Sequence, residues 1–360
     1  MISIKEGLVN KIIESDENIT LIEVLIDGFK ERAINYNKIT GNVNKNDIVI
    51  LNCIALELSL GTGGLHFVMG NKSKKTKKSK QKGHIIKMRY TPFQVRCLAS
   101  EEQNSPYHKT IKNFKSLENN IFAIGTLHSM LAPLASMIKW LKPNAKINYI
   151  MTDGGALPIY FSNTVKELKK KNIIDNTITI GHAFGGDYEC VNIYSGLIVS
   201  KEILKSDVTI VSMGPGIVGT GTKYGFSGIE QGYIIDAVNN LEGISYAIPR
   251  IIFNDERKRH IGISHHTITN LSKVTCTKSN VVLPLLETKK LDKIKKLIEE
   301  NKIDCKHNIY FENGSDIKKA MDHFNISVNT MNKSYKQQKE FFIGLGAVAS
   351  HIVKNLKCLL

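Results

Sequence analysis

Five times between Ile121 and Asp255 an apolar, β-branched stretch runs straight into a polar or glycine-rich turn. The turns are Gly125–Ser129, Thr152–Gly155, Gly181–Asp187, Gly214–Thr222, and Pro249–Arg250 running on to Asp255. Segments with helical spacing separate them. Strands alternating with helices predict an α/β fold with a mostly parallel sheet flanked by helices. In open sheets of this kind ligands bind beyond the carboxyl ends of the strands. Polar residues and glycines recurring at that edge therefore mark a site, and the five motifs are expected to converge there.

The first 92 residues read differently. Ile19–Ile26, Lys30–Tyr36, Asp47–Leu56, Leu65–Met69 and His84–Tyr90 are short β segments separated by turn residues, a spacing that predicts a small N-terminal barrel. The larger α/β domain is expected over residues 93–360, closed by helices at Leu291–Asn301, Ser315–Phe324 and Tyr335–Leu356.

The net charge of +16 resembles a nucleic-acid signature, but seven lysines fall in the single stretch Lys72–Lys82. That stretch has no aromatic residue and reads as a solvated loop inserted at residues 71–83 of the barrel. Nucleic acid is accordingly disfavoured as a partner, and the expected partner is a small anionic molecule. No apolar run reaches the roughly 18–20 residues that span a bilayer, and the opening residues lack a secretory pattern. The expected location is cytoplasmic. Six dispersed cysteines without a C-x-x-C pair predict reduced thiols and no zinc site.

Within Gly214–Thr222, Gly214, Gly216 and Gly219 match G-x-G-x-x-G, with Thr220, Gly221 and Thr222 following. The match comes after the fourth strand of the series and Pro215 removes one backbone donor, so a phosphate or carboxylate cradle fits better than a dinucleotide fingerprint. Asp153, beside Gly154 and Gly155, and Asp187, beside Gly185 and Gly186, are the candidate acids. Two such carboxylates suit a divalent cation such as Mg²⁺, or a division of acid and base roles. His128, His182 and His265 are candidates for proton transfer, and Glu230 opens the helix after the glycine loop as a candidate ligand contact. Together these residues predict an enzyme acting by hydrolysis or group transfer on a small phosphate- or carboxylate-bearing metabolite, a nucleotide among the candidates. The alternatives are a non-catalytic ligand sensor using the same cradle, and a nucleic-acid module using the barrel and the lysine run.

The strings Met151–Pro158, Gly181–Asp187, Met213–Thr222, Gly225–Gly232, Gly262–Thr267, and Gly61–Gly64 before Leu65–Phe67 resemble a bacterial family catalogued as domain of unknown function 3866. The resemblance runs from the barrel to at least Thr267 and implies membership without a reaction. The lysine insertion departs from the pattern.

Overall fold

The computed structural model describes residues 2–74 and 82–358. The interior of the lysine run lies outside these residues. The chain divides into two compact units, one from the residues up to Lys82 with Met88–Val95, the other from Gly83–Lys87 with the chain from Arg96 onward.

The first unit is a closed barrel of five strands, β1 (Ile4–Ser15), β2 (Ile19–Ile26), β3 (Phe29–Tyr36), β4 (Ile48–Asn52) and β5 (His66–Asn71), in the order β1-β2-β3-β5-β4. Pairing of β1 with β4 closes it. Along β2 the inward positions Ile22, Val24 and Ile26 alternate with partly exposed ones, the two-residue period of a strand with one face on a core. The barrel itself matches expectation, but one of its strands does not. His84–Tyr90 contributes only a short strand, Ile85–Lys87, paired with Val95–Cys97 outside the barrel. The fifth strand is β1. Its register shifts between Val9 and Lys11 and again between Ile12 and Glu14, and these bulges hide the alternation that would reveal a strand in the sequence.

The second unit is an α/β fold. Its sheet contains β6 (Ile121–Ile124), β7 (Ile147–Thr152), β8 (Asn176–Thr179), β9 (Tyr188–Glu189), β10 (Val208–Met213), β11 (Ile244–Ala247), β12 (Asn280–Pro284) and β13 (Asn308–Glu312). The order is β9-β8-β7-β10-β6-β11-β12-β13, with every pairing parallel. Every residue of β6, β7 and β10 is buried, as befits parallel strands covered on both faces. Helices α1 (Leu131–Leu141), α2 (Asn163–Lys170) and the long closing α5 (Lys339–Cys358) pack with Tyr149 and Tyr246 on one face. Helices α3 (Glu230–Asn240) and α4 (Thr288–Glu300) pack with Phe122, Ile150 and Val211 on the other.

The chain therefore leaves β6 toward one face and leaves its neighbour β10 toward the other. Their connections diverge at the carboxyl ends of adjacent central strands, which is the place where an open α/β sheet leaves a crevice. Five cysteines, Cys53, Cys97, Cys190, Cys276 and Cys305, are unpaired. Among the described residues no helix is long and apolar enough to cross a membrane.

Candidate active site at the carboxyl edge

Two side chains at the start of α3 organise this edge. Gln231 is fully buried, and its Nε2 donates to the carbonyls of Ile124 (2.7 Å) and Ile248 (3.1 Å), tying the ends of β6 and β11 together. Glu230, 4% exposed, turns the other way, toward the end of β7. The Thr152 hydroxyl donates to its Oε1 at 2.5 Å, while Oε2 makes no hydrogen bond among the described residues. A Cβ placed on Gly154 would stand 3.0 Å from Oε2, so glycine there leaves that oxygen uncovered. Burial pushes the Glu230 carboxyl up to about 7, and the neighbouring Asp153 charge adds to the rise against the Thr152 hydrogen bond. Tyr233, one turn along and partly exposed, has its phenol raised to about 12 by partial burial and then by the Glu230 and Asp153 charges.

Asp153 is exposed, and its Oδ2 accepts from the backbone N–H of His182 at 3.0 Å. A Cβ on Gly181 would run into that carboxylate, and Gly181 also has φ +61°. The glycine thus permits both the turn and the approach. Thr152, Asp153, Gly154, His182 and Glu230 are brought together as one acidic group.

The other expected residues part company. Asp187 lies toward the amino end of the sheet. Its Oδ2 accepts from the N–H and hydroxyl of Thr177, at the start of β8, and from Lys169 Nζ at 2.8 Å. There it lines a cavity of about 430 Å³ with Asn176 and Tyr107. The reason is topological: Asp187 precedes the short parallel strand β9, which no apolar run marks in the sequence. The expected pair of carboxylates around Mg²⁺ is therefore not formed. Among the described residues no three His, Cys, Asp or Glu side chains converge so as to hold a metal ion. Gly185 and Gly186 spend their N–H groups on Glu189 (2.6 Å) and Thr179 (3.1 Å), finishing the sheet edge rather than facing a ligand.

His128 is also structural. Nε2 pairs with the Ser162 hydroxyl at 2.6 Å and Nδ1 lies 3.2 Å from Tyr149 Oη, while Ser162 caps α2 by accepting from Val165 N. Burial lowers its pKa to about 4, and the hydrogen bond to the Met213 carbonyl offsets part of that. The ring is held neutral, as a brace.

The glycine loop divides by position. Gly155 and Gly214 pack backbone to backbone: Ala156 N donates to Pro215 O at 2.7 Å, and a Cβ on Gly155 would run into the Gly214 carbonyl. From Gly219 the chain forms a hairpin bridged to Phe226. Thr220 and Thr222 bond to each other and to Gly225 within it. Gly216, at φ +103°, and Gly221, at φ +78°, are exposed turn residues. The segment is thus an exposed hairpin followed by a short turn into α3, and the backbone cradle expected between Gly214 and Thr222 is not what these contacts build. The base of the hairpin rests on histidines instead. Phe226 stacks on His266 at 4.0 Å, and His265 lies 4.2 Å from His266 and 4.7 Å from His260, centroid to centroid. Burial and the nearby arginines lower the pKa of all three, to about 3 for His260 and His266.

Beside these rings stands Arg250, which follows β11 and is 4% exposed. Burial and Arg257 reduce its pKa to about 10. Arg250 was legible as the polar end of the fifth strand, yet its charge gave no hint of burial. Gln231 opens the helix beside Glu230 within the Gly225–Gly232 string, whereas Gln338 and Lys87 carried no motif. Lys87 is buried and donates to Glu189 at 2.6 Å and to the Thr179 and Ala183 carbonyls, holding the β9 edge.

The sequence model of the family described as "Protein of unknown function (DUF3866)" matches residues 32–349. The chain belongs to this family. No curated protein matches it significantly. Of the DUF3866 match, residues 121 to 283 carry both the acidic group and the Arg250 cluster, so the whole carboxyl edge lies within the shared region.

Proposed function

We propose that this DUF3866 protein is a cytoplasmic enzyme that acts by hydrolysis or group transfer on a small phosphate- or carboxylate-bearing metabolite at the carboxyl edge of its sheet. The observation that carries the reading is Glu230, a buried carboxyl raised to about 7 that meets Thr152 at the carboxyl end of β7. A general acid–base group works best with a pKa near the operating pH, and strongly perturbed carboxyls in clefts concentrate at functional sites. Thr152 orients Oε1 and leaves Oε2 to exchange the proton with a ligand over Gly154. The Asp153 charge beside it adds to the rise of the Glu230 pKa, and the backbone N–H of His182 holds the Asp153 carboxylate.

Mass-spectrometric screening of a panel of phosphorylated and carboxylated metabolites, with and without Mg²⁺, tests this. Wild type is expected to convert at least one member, Glu230→Gln to lose turnover at least a hundredfold, the lower end of a general acid–base contribution of about 10²–10⁴, and Asp187→Asn to retain it. Full turnover in Glu230→Gln, or no conversion of any member by wild type, contradicts the reading.

A further inference from the structure

A cavity of about 310 Å³ opens at the carboxyl edge on the β11 side, lined by Arg250, Arg257, Lys333, Asp255, Glu256, Thr330 and Gln338 among others. Its volume is at the small end of ligand pockets, about 300–1,000 Å³. Three cations face two carboxylates, and one carboxylate is already spent: both Asp255 oxygens pair with Arg257, at 2.9 Å each. Arg250 has no such partner. Its Nε is buried without a hydrogen bond, and among the described residues no carboxylate lies within ion-pair distance of it. On the same lining Gln338, 3% exposed, donates through Nε2 to Asn254 O at 2.7 Å but leaves Oε1 buried without a donor.

Buried polar groups are almost always paired, and each that is not calls for an explanation. Here a charged donor and a neutral acceptor are unpaired in one cavity. A carboxylate alone would satisfy Arg250 and leave Gln338 Oε1 facing lone pairs. The missing partner needs anionic oxygens for Arg250 and a hydrogen-bond donor close by for Gln338. An arginine fork matches phosphate oxygens, and a hydroxyl supplies the donor.

The geometry points to a phosphomonoester-binding site at Arg250 and Gln338, taking a small phosphate ester that carries a hydroxyl group near its phosphate. The phosphate sits on Arg250 with Arg257 and Lys333 contributing charge, and the ligand hydroxyl donates to Gln338 Oε1. Burial, helped by the Arg250 charge, lowers the pKa of neighbouring His260, His265 and His266, which add no competing anion. The inference rests on the carboxyl edge being the substrate site and names the chemistry that its basic side accepts.

Calorimetric titration of the full chain with glycerol 3-phosphate tests it, with methyl phosphate as the probe lacking the hydroxyl. Saturable binding is expected, weakened at least tenfold by Arg250→Gln and by Arg250→Lys, which keeps charge but loses the fork. Glycerol 3-phosphate should bind more tightly than methyl phosphate, and Gln338→Leu should erase that difference. If Arg250→Gln fails to fold, Lys333→Gln and Arg250→Lys decide. No saturable binding by wild type, or undiminished binding in the folded Arg250 and Lys333 variants, overturns the site. Such a failure is separate from failure of the Glu230 reading: a protein that binds no glycerol 3-phosphate but loses turnover in Glu230→Gln refutes only the phosphate site.

Discussion

The Thr152 hydroxyl donates to Oε1 of Glu230 across 2.5 Å, joining the end of β7 to the first residue of the helix that follows β10. The bond orients a carboxyl that burial makes reluctant to ionise. With the folded-state pKa raised from 4.5 to about 7, the folded protein keeps a proton that the unfolded chain has already released. Stability from this residue is therefore fully present below pH 4.5 and is lost as pH rises toward 7, by on the order of 3 kcal/mol. Denaturant unfolding of wild type and Glu230→Gln at pH 5 and pH 8 checks this. The variant should lie within about 1 kcal/mol of wild type at pH 5 and exceed it by more at pH 8. A group that destabilises the fold at neutral pH is what a site selected for chemistry retains.

The histidine brace has the opposite sign. His128 falls from an ordinary 6.5 to about 4 in the fold, so its contribution is present above pH 6.5 and is lost as pH falls toward 4. His128→Ala should cost about 1–3 kcal/mol at pH 7, the penalty for leaving buried partners unpaired. Its unfolding curves should also lack part of the wild-type acid sensitivity between pH 6.5 and 4. Equal acid sensitivity in both proteins would contradict the assignment.

Two glycines of the edge are expected to behave differently. Gly155→Ala forces a methyl group against the Gly214 carbonyl, and backbone cannot give way as a side chain can. A loss of about 1–3 kcal/mol is expected, as for overpacked sites. A methyl group on Gly219 would meet the His266 ring at 3.6 Å and Phe226 Cβ at 3.8 Å, both ordinary contacts, so Gly219→Ala should stay within about 0.5 kcal/mol of wild type. Thermal unfolding of the two variants side by side distinguishes them.

Lys87→Met removes a buried ammonium from Glu189 and from two carbonyls. Breaking one side of a buried ion pair costs about 3–5 kcal/mol, and hydrogen exchange should show the β8–β9 edge opening first. Wild-type protection along Thr177–Glu189 in this variant would show that Lys87 does not hold the edge.

The α/β architecture was legible because parallel strands covered on both faces are written as unbroken apolar runs, as at Ile121–Ile124 and Val208–Met213. Asp153 and His182 were legible as neighbours because each ends such a run. Asp187 was misplaced because β9 is two residues long, too short to register as a strand against a helical background. The role of Glu230 was hidden for a different reason. Sequence shows a carboxyl at a helix start, where the helix dipole would favour its charge, and only three-dimensional burial reverses that preference. Arg250 and Gln338 were invisible as a pair because they are 88 residues apart in sequence and meet only on the lining of one cavity.

What is proposed for the carboxyl edge turns on Glu230 exchanging a proton near neutrality. Difference infrared titration of wild type against Glu230→Gln follows its carboxyl stretch directly. A protonated carboxyl band is expected that is present at pH 6, absent from the variant, and lost with a midpoint near pH 7. A midpoint near 4.5, the ordinary value for an exposed glutamate, would contradict it.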